Sequence, residues 1–408
     1  MTPACRLCGG TFLPSVVDLG TSPLSNAYLA AADLSQPEVY YPLQPRFCPE
    51  CFLVQLPALV APEHIFTDYA YFSSYSDSWI RHAGRFAVGM IETLGLGQHH
   101  LVVEVASNDG YLLKHFQAAG VRVLGIEPAR NVAAVAERAG VETLSRFFGV
   151  AVAEELVRGG RRADLLVGNN VLAHVPDLHD FVSGLKILLA TEGMLTMEFP
   201  HLLRLIEQTQ FDTIYHEHYS YLSLLTVDRL FRQHGLAIVD VEELPTHGGS
   251  LRIYAAHDGV RPRDPRVDAL ETLERDAGLR DLRTYAAFSE RVHRLKLEFL
   301  RFLVEQRARG SSVAGYGAPA KANTLLNYCG VRSDLLQYTV DRSPHKQGRF
   351  LPGTRIPIHD PARLAETRPD WIVILPWNIK EEIIDSLHGI RQQGARLVVP
   401  VPVLEVIA

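Results

Sequence analysis

Hydrophobic positions change their period several times along the 408-residue chain. From 1 to about 65 the apolar residues are scattered among prolines and short polar turns, which predicts irregular chain and short strands. From about 78 an amphipathic stretch with Trp79, Ile80, Phe86, Ile91 and Leu94 predicts a helix that Gly95 and Gly97 stop. An α/β rhythm follows: a β-branched run at Leu101–Ala106, a turn at Ser107–Gly110, a helix through Leu112, Leu113 and Phe116, and a strand at Val121–Ile126. Further strands are predicted at Leu165–Val167, Gly193–Glu198, Ala237–Glu242 and Leu251–Ala255. Short connections between alternating strands and helices predict a parallel, doubly wound sheet. The charged segment from about 265 to 308 keeps Leu270, Leu273, Leu282, Phe288, Val292, Leu295, Phe299 and Phe302 on one helical face, and is read as a bridge between domains. A second α/β unit follows, with strands at Ser311–Ala314, Leu336–Val340 and Trp371–Leu375 and helices after Pro319 and from about Lys380 to Gln392.

At about 150 residues per domain this length predicts two or three domains. A composition 47% hydrophobic and 21% charged excludes a disordered chain. The net charge of −6 gives nucleic acid or an anionic membrane no help from the whole-chain field. The start lacks an apolar signal core and no apolar run approaches a membrane span, so the expected location is cytoplasmic.

Four of the five cysteines form two close pairs, Cys5/Cys8 and Cys48/Cys51. This CxxC…CxxC spacing can present four thiolates to one structural zinc, and a metal explains how some 65 residues without a regular core fold. The first βα turn carries Glu104, Ser107, Asn108, Asp109 and Gly110. With a single glycine it is poorly made for a pyrophosphate, and its polar side chains suit S-adenosylmethionine. Glu127, before Pro128 at the end of the second strand, is placed to take ribose hydroxyls. Asn169, Asn170 and His174 follow another strand and open on the same sheet edge.

Tyr215-His-Glu-His-Tyr-Ser-Tyr221 fails H-E-x-x-H because position 220 is Ser. It reads as a proton-transfer cluster, with a His-x-His metal pair or a satisfied polar junction as alternatives. The run Tyr69, Tyr71, Phe72, Ser73, Tyr75 and Ser76 is a lid for a hydroxylated ligand or a packing edge. His247, Ser250 and Arg252 are a basic turn that binds a ligand or a plain turn before a strand. Gly315-Tyr316-Gly317-Ala-Pro-Ala-Lys321, followed by Asp341, is close to G-x-G-x-x-A; it suits either NAD or the phosphates of a nucleotide-linked substrate on Lys321 and the loop amides.

In this order the motifs resemble the zinc-containing, S-adenosylmethionine-dependent C-methyltransferases acting on nucleotide-linked 4-keto-deoxysugars, often dTDP-sugars of antibiotic biosynthesis. The resemblance implies an α/β protein with a zinc-binding module at 1–66, a central Rossmann-like class I methyltransferase domain at 67–245, and a second Rossmann-like domain at 246–408 for the sugar nucleotide. It implies that His218 with Glu217 or Tyr215 lies in the active centre, that Tyr69 and His174 flank the sugar, and that the last unit does not use NAD. His218 is the expected base, oriented by Glu217, with Tyr215, His174 or Tyr69 on the enolate oxygen and C3 favoured over C5 for methylation. The competing function is an NAD-dependent sugar-nucleotide oxidoreductase or epimerase. Monomer and dimer stay open.

Overall fold

The computed structural model describes residues 4–66 and 72–407. Seven strands form the larger sheet: β1 (Leu101–Val105), β2 (Arg122–Ile126), β3 (Thr143–Leu144), β4 (Ala163–Asn169), β5 (Leu189–Pro200), β6 (Leu236–Leu244) and β7 (Ser250–His257). Their order is β6-β7-β5-β4-β1-β2-β3. Successive residues feed opposite cores: Leu101, Val103 and Val105 pack on one face, and Val102 on the other with Leu165 and Val167. Burial on both faces is why these strands read as continuous apolar runs. The expectation of an all-parallel sheet fails at β7, which runs antiparallel to both β5 and β6. The tight turn at 245–249 reverses the chain directly, leaving no length for a crossover. The expected domain junction at 245/246 therefore falls inside a hairpin of the larger sheet.

Helix α1 (Asp77–Leu94) starts where the Ser76 hydroxyl accepts the Trp79 N–H and stops at Gly95 in the left-handed region. Helix α2 (Leu113–Ala118) follows β1. The segment expected to bridge domains is two helices, α3 (Pro265–Asp276) and α4 (Leu282–Ala308), broken where Gly278 has φ +79°. The second sheet contains β8 (Val313–Tyr316), β9 (Thr339–Val340), β10 (Ile358–His359), β11 (Trp371–Ile374), β12 (Arg396–Val399) and β13 (Glu405–Ile407), in the order β10-β9-β8-β11-β12-β13. Its strands pair in parallel up to β12, and β13 closes that edge antiparallel. Helix α5 (Ala320–Cys329) leaves β8.

The cysteine module is a wedge between the two units. Its Cys5, Leu7, Leu13 and Leu53 pack into a core with one face of the larger sheet. Its Val16, Leu43, Phe47 and Leu56 share a core with α4 and the second sheet. The carboxyl edges of both sheets meet at a cavity of about 1400 Å³, where open α/β sheets bind ligands. Among the described residues no helix is long and apolar enough to cross a membrane.

Candidate active site

The four cysteine sulfurs lie within 4.8 Å of one another, with Cys5–Cys51 at 3.4 Å and Cys8–Cys48 at 3.5 Å. The two knuckles share one backbone device. Gly9 N–H donates to the Cys5 carbonyl and Phe52 N–H to that of Cys48, both residues in left-handed backbone. Tetrahedral zinc with Zn–S near 2.3 Å puts its sulfurs about 3.8 Å apart, so the set fits, with no ligand place left for water. His216 and His218 do not form a metal pair. His216 turns toward the Pro42 carbonyl, 3.2 Å away, and only His218 of the two lines the cavity.

At the edge of the larger sheet Asn108, Glu127, Pro128, Asn169 and Asn170 line the cavity. Each Glu127 oxygen accepts one backbone N–H, from Asn108 at 3.0 Å and from Ala129 at 2.8 Å, and keeps a second lone pair. Burial pushes its carboxyl up to about 7, against those two amides. Glu104, Ser107, Asp109 and Gly110 are not in the cavity wall. Glu104 is wholly buried beneath it, its carboxyl oxygens without a hydrogen-bond partner among the described residues; burial raises its pKa well above the carboxylate range, opposed by nearby Tyr111. Ser107 turns its hydroxyl onto Gly125, and Gly110 supplies a φ of +76°. Asn170 brings to the wall a buried Oδ1 with no partner among the described residues. This acceptor-rich surface suits a cofactor whose binding end is cationic and free of phosphate.

Ser73 N–H donates to Asn108 Oδ1 (2.9 Å) and Ser74 N–H to Asp109 Oδ2 (3.1 Å), so the Phe72–Ser76 run braces the cofactor loop. Ser76 also caps α1. Phe72 stacks on His345 and Tyr75 bonds it at 3.3 Å, which joins the run to the second α/β unit. Tyr69 and Tyr71 lie outside the described residues.

His218, Tyr215, His174 and Glu217 converge on the cavity. The His218 ring is 4.0 Å from that of Tyr215 and 4.8 Å from that of His174. His218 Nδ1 donates to the Thr213 carbonyl at 2.9 Å, which leaves the lone pair on Nε2. The orientation expected from Glu217 thus comes from the main chain. Burial, and the neighbouring His174, hold the His218 pKa well below its ordinary value; burial takes His174 down to about 4, and both rings are neutral near pH 7. His174 Nδ1 has no partner among the described residues. Glu217 receives Asn26 of the cysteine module, whose Nδ2 lies 2.7 and 2.9 Å from its two oxygens. Asn26 and the Thr213 carbonyl carry no sequence signal.

On the opposite wall, Lys321 near the N-terminus of α5 donates to Asn378 Oδ1 at 2.7 Å and lies over the Trp377 ring. Burial lowers its pKa to about 8, opposed by nearby Asp212. Among the described residues it has no carboxylate partner in an ion pair. His247 also lines the wall, its pKa lowered by burial to about 4. Of three further expected ligand residues, Arg252 lines the cavity, and Ser250 and Tyr316 do not. Arg252 pairs with Glu198 (2.6 Å) and Glu242 (2.9 Å), so its charge is spent within the protein. Ser250 donates to the Thr246 carbonyl, and Tyr316 is core in β8. The NAD-like loop is closed by packing. A Cβ on Gly317 would lie 2.6 Å from Pro376, and Asp341 takes the N–H groups of Ala318 and Ser343.

Three family models match: "Putative zinc binding domain" over residues 5–66, "Methyltransferase domain" over 79–241, and "C-methyltransferase C-terminal domain" over 245–402. C-methyltransferase NovU of Streptomyces niveus is 39% identical over 409 aligned positions, covering 99% of this chain and 96% of that protein. The chain belongs to the zinc-containing, S-adenosylmethionine-dependent C-methyltransferases. This C-methyltransferase is also 34% identical, over 26% of its length and 41% of the relative's, to a ubiquinone biosynthesis O-methyltransferase of a Methylobacterium strain. Magnesium protoporphyrin IX methyltransferase of Synechocystis, solved with bound SAM, matches 45% of the chain and 82% of its own at 16% identity and a TM-score of 0.33. In this C-methyltransferase S-adenosylmethionine is the methyl donor and the four-cysteine cluster is the zinc site.

Proposed function

We propose that the acceptor is a nucleotide-linked 4-keto-deoxysugar, with dTDP as the nucleotide, methylated on the carbon beside the ketone and at C3 rather than C5. The observation that carries the reading is His218: a neutral buried imidazole, fixed by Thr213, with its lone pair at a cavity shared by a methyl-donor edge and a phosphate-compatible helix end. S-adenosylmethionine supplies an electrophilic methyl group on a sulfonium. His218 Nε2 takes the proton that the C4 ketone acidifies, and the electron pair delocalises onto the ketone oxygen. Tyr215, against the same ring, donates its hydroxyl to that oxygen. His174 offers Nδ1 to a sugar hydroxyl. The α5 N-terminus and Lys321 face the diphosphate. Burial of the cluster keeps water from the carbanion.

Incubation with S-adenosylmethionine and a panel of 4-keto-sugar nucleotides in deuterated water tests this, because exchange marks the acidified carbon even without methyl transfer. His218→Asn is expected to lower exchange and methylation together by about 10²–10⁴-fold, with S-adenosylhomocysteine affinity kept. Unchanged exchange removes His218 as the base, and a panel that neither exchanges nor is methylated removes the keto-sugar.

A further inference from the structure

We infer that Asn26, delivered by the zinc module, is a positioning residue of the methyl-transfer centre that holds Glu217 as an aimed carboxylate. The inference rests on the proton-transfer role given above to the His218–Glu217 cluster. Asn26 lies 191 residues from Glu217 in sequence, yet its amide nitrogen reaches both carboxylate oxygens, at 2.7 and 2.9 Å. Both residues line the cavity. The Tyr28 hydroxyl lies 3.2 Å from Asn26 Oδ1 and 2.6 Å from the Ala318 carbonyl, just before α5, and its one proton serves one of these acceptors at a time. Lys346 Nζ donates to the same carbonyl at 3.0 Å. One segment of the module thus connects the proposed proton-transfer cluster to the loop that leads into the phosphate-facing helix.

The chemistry gives this contact a task. A neutral imidazole in a buried site becomes cationic when it takes a proton, and that cation is costly without a nearby negative charge. A carboxylate that accepts hydrogen bonds is favoured in its charged form, and one that loses them in a buried site protonates. Several groups around Glu217 are engaged otherwise. His174 meets its backbone, Tyr28 and Tyr219 are phenols whose titration its charge opposes, Tyr215 and His218 flank it in the chain, and Lys346 is turned to Ala318 and Asp341.

The test follows turnover against pH with dTDP-4-keto-6-deoxyglucose, or the panel member that exchanges, for wild type, Asn26→Ser, Asn26→Asp and Glu217→Gln. Zinc content, melting temperature and S-adenosylhomocysteine affinity are measured alongside. Asn26→Ser is expected to move the acid limb of the kcat profile to higher pH by about one unit, and Asn26→Asp further, since two carboxylates then share the site. Asn26→Asp keeps the side chain's shape, so it reports even where Asn26→Ser folds poorly. Lower activity with an unmoved acid limb in both variants overturns the inference and leaves Asn26 a packing residue. A Glu217→Gln enzyme that retains the wild-type limb instead overturns the role of Glu217 on which the inference rests.

Discussion

A buried charge reads in sequence as a ligand-binding group until its partners are known, and Arg252 is the case here. Its guanidinium stacks on Phe86, meets His82 and bonds Glu198, which is wholly buried at the end of β5. Burial pushes the Glu198 carboxyl up, but the hydrogen bond with His82 and the charge of Arg252 outweigh it and hold it at about 2. Because the folded pKa lies below the unfolded value of about 4.3, the stabilisation is complete above that value and is lost as pH falls toward 2. Arg252→Gln is therefore expected to cost about 3 kcal/mol near neutral pH by leaving a buried carboxylate with His82 and Thr246 but without its guanidinium partner. Denaturant unfolding at a series of pH values should show the gap from wild type closing on acidification, with the KM for the sugar nucleotide little changed. A raised KM at full stability would return Arg252 to the phosphate. The residue types clustered at 215–221 were legible in the sequence because imidazole, carboxylate and phenol stand side by side. Their geometry was not, because it depends on a carbonyl at Thr213 and an amide at Asn26, and neither leaves a mark in residue type.

At the scale of elements, legibility followed burial. Strands β1, β2, β4 and β11 are apolar on both faces and showed as runs; the 27-residue α4 showed by its periodic face. The antiparallel insertion of β7 did not, since a run of apolar residues carries no direction. The cysteine module has only two-residue strands among its described residues, so its order comes from the zinc site and from the cores on either side. Zinc removal should therefore spread beyond the module. If the ion contributes even half of the roughly 10 kcal/mol seen for isolated fingers, the loss corresponds to a melting temperature lower by about 6 °C for a chain of this length. Calorimetry of Cys48→Ser, or of protein held with a chelator, checks this together with methyl transfer, whose acid limb should move to higher pH as Asn26 leaves Glu217. A zinc-free protein with an unchanged transition and full turnover would reduce the four cysteines to an ornament of the fold.

The molecule as a whole carries a net charge of −6 and is proposed to take an anionic substrate, so its average field opposes binding. Only six lysines are present in the sequence, and two of them, Lys321 and Lys346, line the large cavity. They differ in what they have left to offer. Lys346 bonds the Ala318 carbonyl and lies 3.5 Å from Asp341, whereas Lys321 meets a neutral amide and an aromatic face. On the proposed function, Lys321 and the uncapped amides of α5 are the groups that face the diphosphate, with Arg85 and Arg146 elsewhere in the cavity wall. A charge in that setting acts at short range, and added salt screens it far less than it screens exposed charges a Debye length apart. Lys321→Met is accordingly expected to raise the KM for the sugar nucleotide by about tenfold or more, while leaving the KM for S-adenosylmethionine near wild type. For the native enzyme, raising salt from low to physiological strength should change the same KM by less than about threefold. Steady-state kinetics with each substrate varied at two ionic strengths distinguishes the cases. A steep salt dependence that survives Lys321→Met would place the phosphate recognition on exposed arginines and away from the end of α5.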